Sequence, residues 1–390
     1  MVTEAAVVDV ALRRSRGAAA AAFFTQGLVF ISLTTRLPLV QDKWDISATE
    51  LSLLLLMMVL LAGVGSLLAE KVADRLDSAV VLRAGLLVIA VGLPIVTLAP
   101  VFVVFVLGLA AYGVALGAVD AATNMQAVAL EHRYGRPILP SFHGAWTLGG
   151  VVGSALTLAT GDGGLGWAAL LAVVPLVASA LPLLRRGDVA VDTDVSVPWR
   201  PILLVGAALV LFYMVDTAAS TWGPTYLDST FPTPSRLVAL ATFPYLVASL
   251  VLRVAGDGLV ARHGVVPVLR AAAVVSAVAL AVVVFAPTWP VAVLGITLLG
   301  AGTAVMAPLS FSAAARIAGG DALDPAARAA RVDAVIARFN QFNYLGALLG
   351  SVLTGLVGAD SLRYGFAMPM ILILGVVPLA AAFAPASAKE

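Results

Sequence analysis

The chain has 390 residues, of which 61% are hydrophobic and 12% charged, with a net charge of +1 and a mean hydropathy of +1.03. Soluble domains carry about 25% charged residues, so a water-soluble globule is excluded, and no dense basic face exists to bind nucleic acid. Cysteine is absent, which rules out disulfides, thiolate metal sites and cysteine nucleophiles.

Long apolar runs recur between Gly17 and Phe383. A hydrocarbon core of roughly 30 Å takes about 20 apolar residues of helix, and only helices or closed barrels satisfy their backbone inside it. The short alternating strands of a spanning barrel are missing. Arg13, Arg14 and Arg16 precede the first run as in a signal peptide. That run is too long and shows no small-residue cleavage site, so it reads as a retained first helix. The pattern predicts about twelve spans. The first six fall at 18–40, 47–70, 79–98, 101–130, 138–160 and 164–184, and the second six at 201–227, 235–260, 265–286, 289–316, 333–358 and 362–384. The expected fold is an all-α membrane protein. Its parts are an N-terminal six-helix bundle over 1–186, a cytoplasmic linker over 187–199 and a C-terminal six-helix bundle over 200–390.

Alternate connections hold 19 of the 23 basic residues, from Arg13 to Lys389, leaving Lys43, Arg236 and Arg363 opposite and Arg36 at the end of the first span. Such a bias predicts that both termini are cytoplasmic in a multi-pass protein of the inner or plasma membrane. The connection at 316–338 holds Pro325, Arg328 and Arg331 and reads as a solvated loop helix or a regulatory site.

The halves match each other. Ser66–Arg83 aligns with Arg253–Arg270 at an offset of 187, placing Glu70 on Asp257, Arg75 on Arg262 and Arg83 on Arg270. Phe142–Thr157 aligns with Phe339–Thr354 at an offset of 197, with Gly149 on Gly346 and Gly153 on Gly350. Parallel six-helix repeats are a transporter architecture.

On these repeats the chain resembles the major facilitator superfamily over essentially its whole length. The stretches Gly117–Gly150 and Asp216–Leu227 resemble the fucose-permease-like branch of bacterial permeases. The resemblance implies two pseudo-symmetric bundles around a central cavity lined by spans one, four, seven and ten. It further implies that Glu70 with Arg75, and Asp257 with Arg262, latch the halves in an outward-open state; the bland reading is ordinary loop charges.

Ionisable groups deep in membrane helices are expensive and mark functional sites. Asp120 and Asn124 share a face of the fourth span, and Asp216 lies well inside the seventh with Tyr213 and Ser220 on its face. A carboxylate that trades a proton for a salt bridge is a coupling element, so Asp120 and Asp216 are the leading proton carriers; substrate contact or a structural role is the alternative. Arg36 reads as an anion-attracting group or a headgroup-level cation. His143 and Trp146 share a face of the fifth span, and the histidine is a proton relay or a satisfied ring. Asn340, Asn343 and Tyr344 suit a neutral hydroxylated solute or glue helices together. Trp222 and Tyr226 form either an interfacial belt or a stacking platform. Gly149, Gly150 and Gly153 permit close helix packing.

The expected function is secondary active transport of a small solute, sugar-like or another polar metabolite, by proton-coupled alternating access. The substrate and its direction are open between proton symport and export of drugs or metabolites by proton antiport. A monomer is expected, with lipid, protons and a small molecule as partners and no cofactor or metal. A phosphate-cradling nucleotide loop is absent. An embedded enzyme would need a nucleophile or metal cluster that three histidines, His132, His143 and His263, do not supply. A non-transporting membrane sensor is the remaining alternative.

Overall fold

The computed structural model describes residues 2–134, 138–160, 164–185, 199–319, 332, 335, 339 and 341–384. All regular structure among them is helical. The chain divides into two compact units. One comprises Met1–Ile46, Leu53–Asp188 and Ser235–Ala239, and the other Ser47–Ser52, Val189–Pro234 and Leu240–Glu390.

The first unit is built from α1 (Val2–Thr34), α2 (Leu37–Trp44), α3 (Ala48–Arg75) from Leu53 onward, α4 (Ser78–Leu98), α5 (Phe102–Tyr134), α6 (Leu139–Ala159) and α7 (Val173–Ser179), the last continuing a 3-10 stretch at Leu165–Ala172. The second is built from α8 (Trp199–Thr230), α9 (Phe243–His263), α10 (Val265–Val284), α11 (Trp289–Thr303) and α12 (Met306–Gly319). It ends with α13 (Gln341–Leu348), a π turn at Leu349–Leu353, α14 (Thr354–Val357), α15 (Leu362–Leu372) and α16 (Val376–Leu379). Nine helices among the described residues are long and apolar enough to cross a membrane, and Leu165–Ser179 and Gln341–Val357 are shorter apolar ones. With Leu139–Ala159 they account for the twelve spans expected. The apolar residues left exposed, such as Leu87, Val91, Val177, Val278 and Ile371, suit a surface facing lipid rather than water.

Local chemistry sets the helix ends. The first predicted span, 18–40, is cut short because Pro38 cannot continue a helix; α1 stops at Thr34 and Pro38 opens α2. Ser47 and Glu50 cap each other at the start of α3, the Glu50 carboxylate accepting from the Ser47 amide at 2.7 Å and Ser47 Oγ from the Glu50 amide at 3.2 Å, a reciprocal capping box. Glu131, at the end of α5, accepts from the amides of Ile138 and Leu139 at 2.6 and 2.8 Å and so caps the start of α6.

The repeat legible in the sequence recurs as contacts inside each unit. A Cβ added to Gly149 would strike the Phe24 carbonyl, and one added to Gly346 the Val210 carbonyl. Gly153 faces the Leu28 carbonyl as Gly350 faces that of Met214, and Gly113 faces Met58 as Gly300 faces Tyr245. Arg83 donates to the carbonyls of Ser179 and Leu181 at 3.2 and 3.3 Å, and Arg270 to that of Val377 at 3.3 Å. Lys43 caps the end of α4 through the carbonyls of Thr97 and Ala99. Arg363 caps the end of α10 through those of Val284 and Ala286, each 187 residues further on. Cations are favoured at helix C-termini, which gives two of the basic residues lying against the charge bias a local reason to be there.

Candidate functional site

Each unit holds a carboxylate well inside a long apolar helix, Asp120 in α5 and Asp216 in α8. In the first unit, Gln26 Nε2 of α1 donates to Asp120 Oδ1 of α5 at 3.1 Å. Asn124, one turn along, donates instead to the backbone carbonyl of Asp120 at 2.9 Å. Asp120 and Asn124 are part-exposed while Gln26 is buried. His143 and Trp146, on α6, are part-exposed; the imidazole stands edge-on to the Phe23 ring at 5.5 Å, and Trp146 lies 6.4 Å from Phe30.

Arg36 is 3% exposed and bonds no carboxylate among the described residues. Its guanidinium donates to the Ser32 carbonyl at 2.9 Å, to Thr157 Oγ1 at 2.6 Å and to Thr160 Oγ1 at 2.9 Å. It therefore sits where α1 and α6 both end, and the negative ends of two helix dipoles stabilise its charge. The expectation of a solute- or headgroup-facing cation gives way to a clasp between two helix termini.

In the second unit, Asp216 of α8 is part-exposed. Its expected neighbour Ser220 turns back onto the Thr217 carbonyl at 3.4 Å. The carboxylate is reached from α9, where the Tyr245 hydroxyl donates to Asp216 Oδ1 at 2.5 Å. The same phenol oxygen lies 3.4 Å from Thr303 Oγ1 of α11, and Thr303 donates on to the Leu299 carbonyl at 2.9 Å. Tyr245 and Thr303 are both buried. Arg253 lies two turns beyond Tyr245 on α9.

Trp222 and Tyr226 are both 0% exposed. The indole donates to the Ser351 carbonyl at 2.7 Å and the phenol to that of Val283 at 2.6 Å. Neither an interfacial belt nor a stacking platform is formed here: both rings are packed inside the bundle. Trp222 answers a carbonyl in the π turn, where the helical ladder is shifted. Asn343 and Tyr344 of α13 are part-exposed, and the Asn343 amide engages no described residue. Tyr213 is part-exposed on α8, its ring edge-on to Phe212 at 4.8 Å. Asn340 and the Asp257 side chain lie outside the described residues. Glu70, Arg75 and Arg262 are exposed, and no ion pair joins Glu70 to Arg75. The described residues hold no group of three or more acids and histidines able to bind a metal.

Sequence reasoning missed Gln26, Tyr245 and Thr303, and counted Arg253 with the loop cations. Gln26 carried a signal, since it is the one amide in the charge-free run from Gly17 to Thr35. Tyr245 and Thr303 carried none, because tyrosine and threonine are unremarkable in apolar helices.

No family model matches the chain. It is 27% identical to an uncharacterized transporter of Sinorhizobium fredii over 364 residues, covering 89% of this chain and 92% of that one. It is 26% identical to an uncharacterized MFS-type transporter of Yersinia pestis over 379 residues, covering 93% and 94%. Among solved structures, the xylose transporter XylE of E. coli superimposes with a TM-score of 0.73 at 13% identity, covering 96% of this chain and 100% of that one. The nucleoside transporter NupG gives 0.67 at 16% identity, covering 94% and 97%. The transporter FucP gives 0.65 at 15% identity, covering 95% and 98%. At these identities the solved structures speak for the fold.

Proposed function

We propose that this chain, a multi-pass membrane transporter of the major facilitator superfamily, carries a neutral hydroxyl-rich solute, a monosaccharide or nucleoside, by alternating access coupled to protons. The observation that carries the coupling is the hydroxyl chain at Asp216. In the charged form the carboxylate accepts from Tyr245. Once protonated, Asp216 can donate to the phenol oxygen, and Tyr245 can turn its own hydrogen to Thr303 Oγ1, whose hydrogen already serves Leu299. Every hydroxyl keeps a partner in both states, since each can donate and accept. Asp216 can thus change charge without stranding a buried polar group, which would cost about 1–3 kcal/mol. Asp120, bonded by the neutral amide of Gln26, is the second carrier.

The solute class is supported by the part-exposed amides of Asn124 and Asn343, which both donate and accept. It is supported too by the likeness to structures named as xylose, nucleoside and fucose:proton transporters. The distribution of basic residues supports a plasma-membrane protein with both termini cytoplasmic, and a monomer is the proposed working form.

The test is a panel of monosaccharides and nucleosides presented to right-side-out vesicles with external pH recorded. Solute-dependent alkalinisation outside is expected for symport. Acidification outside during solute entry, or alkalinisation outside during efflux, would indicate antiport, and solute movement with no pH change would refute proton coupling.

A further inference from the structure

One buried acceptor beside Asp120 is unanswered. Gln26 lies on α1 about two turns before its end at Thr34, with 6% of its surface exposed. Its Nε2 donates to Asp120 Oδ1 at 3.1 Å, yet its Oε1 is buried and accepts no hydrogen bond from the described residues. A buried polar atom without a partner is costly, and an apolar side chain of the same length would avoid that cost.

We infer that Gln26 and Asp120 form an acid–amide pair that holds the transported proton. On protonation at Oδ2, Asp120 donates to Gln26 Oε1 while Oδ1 goes on accepting from Nε2. A carboxylic acid and a primary amide each present one donor and one acceptor side by side, so two opposed hydrogen bonds close a ring between them. A carboxylate has no hydrogen to offer and closes only half of it. The structure holds that half ring, with the second acceptor already buried in place. The proton arrives from water on one side of the membrane and returns to water on the other; no other bond is made or broken. Gln26 is therefore a positioning residue, and protonation adds a second hydrogen bond between Gln26 of α1 and Asp120 of α5.

Three charged groups on or beside the packed helices have partners of their own. Arg36 is held by Thr157 and Thr160, Arg83 by the carbonyls of Ser179 and Leu181, and Glu131 by the amides of Ile138 and Leu139. On α3, Glu50, Glu70, Lys71 and Arg75 stand exposed at the two ends of the helix. His143, edge-on to Phe23, is the titratable ring that α6 adds.

The inference rests on Asp120 carrying a proton, and the experiment separates the two claims. Infrared difference spectra of the full-length protein in lipid, acid minus alkaline, should contain a protonated-carboxyl stretch that disappears in Asp120→Asn. In Gln26→Met, which removes the amide at similar length, that stretch should shift to higher frequency. Protein labelled with isotopic glutamine should show an amide-carbonyl shift with pH that is lost in Asp120→Asn, a readout that needs no Gln26 variant to fold. An Asp120-dependent stretch unmoved in Gln26→Met, or a glutamine carbonyl indifferent to pH, overturns the pair and leaves Asp120 as a carrier. Absence of any Asp120-dependent stretch overturns both.

Discussion

At Asp216 the partner of a membrane carboxylate is a phenol, and the choice has consequences. An arginine bonded there would hold the acid charged, whereas Tyr245 serves it in either state. Hydrogen bonds to charged groups are worth about 1.5–3 kcal/mol, roughly tenfold or more in an equilibrium constant. Tyr245→Phe keeps the ring and removes the bridge between Asp216 and Thr303. We expect solute accumulation driven by a pH gradient to fall at least about tenfold while solute exchange without a gradient persists; equal loss of both would assign Tyr245 to folding instead. The two acids were legible because a charge stands out in an apolar run. Their surroundings were less so: Arg36, read as an anion-attracting or headgroup-level cation, is taken by the hydroxyls of α6, and nothing in composition distinguishes Tyr245 from other buried aromatics.

The packing of helices into each unit turns on backbone approaching backbone. Gly149 abuts the Phe24 carbonyl and Gly346 that of Val210, whereas Gly144 has open space around its Cα. Gly149→Ala and Gly346→Ala should each destabilise the protein by about 1–3 kcal/mol through overpacking. Gly144→Ala, near the start of the same helix as Gly149, should be neutral or stabilising by up to about 1 kcal/mol, since alanine favours helix over glycine. Thermal unfolding in detergent reads all three, and a Gly144→Ala loss as large as that of Gly149→Ala would contradict the packing. The spacing of these glycines was legible as a repeat. What they touch was not, because a carbonyl looks the same under Phe24 as under Val210. Span boundaries were legible to within a few residues wherever apolar runs end in Gly, Pro or charge. At the first span, the earlier end at Thr34 followed from a proline whose effect on α1 was not applied, and the helix also runs back beyond 18 through Arg13, Arg14 and Arg16 to Val2.

For the molecule as a whole, the two units share a scaffold and differ in chemistry. The contacts of Gly113 and Gly300, the arginines at 83 and 270 and the capped ends of α4 and α10 repeat at an offset of 187. At that offset Asp120 falls on Ala307 and Tyr245 on Met58. Repetition supplies the frame, and departures from it supply the polar groups, one acid–amide contact between α1 and α5 and one acid–phenol–hydroxyl chain across α8, α9 and α11. Such departures are where a transporter built from duplicated halves can place a proton and a solute on different surfaces. Separating the two functions is the most direct test. In proteoliposomes, Asp216→Asn should retain exchange of internal for external labelled solute and lose accumulation driven by an imposed pH gradient. Accumulation equal to wild type in Asp216→Asn would contradict the account.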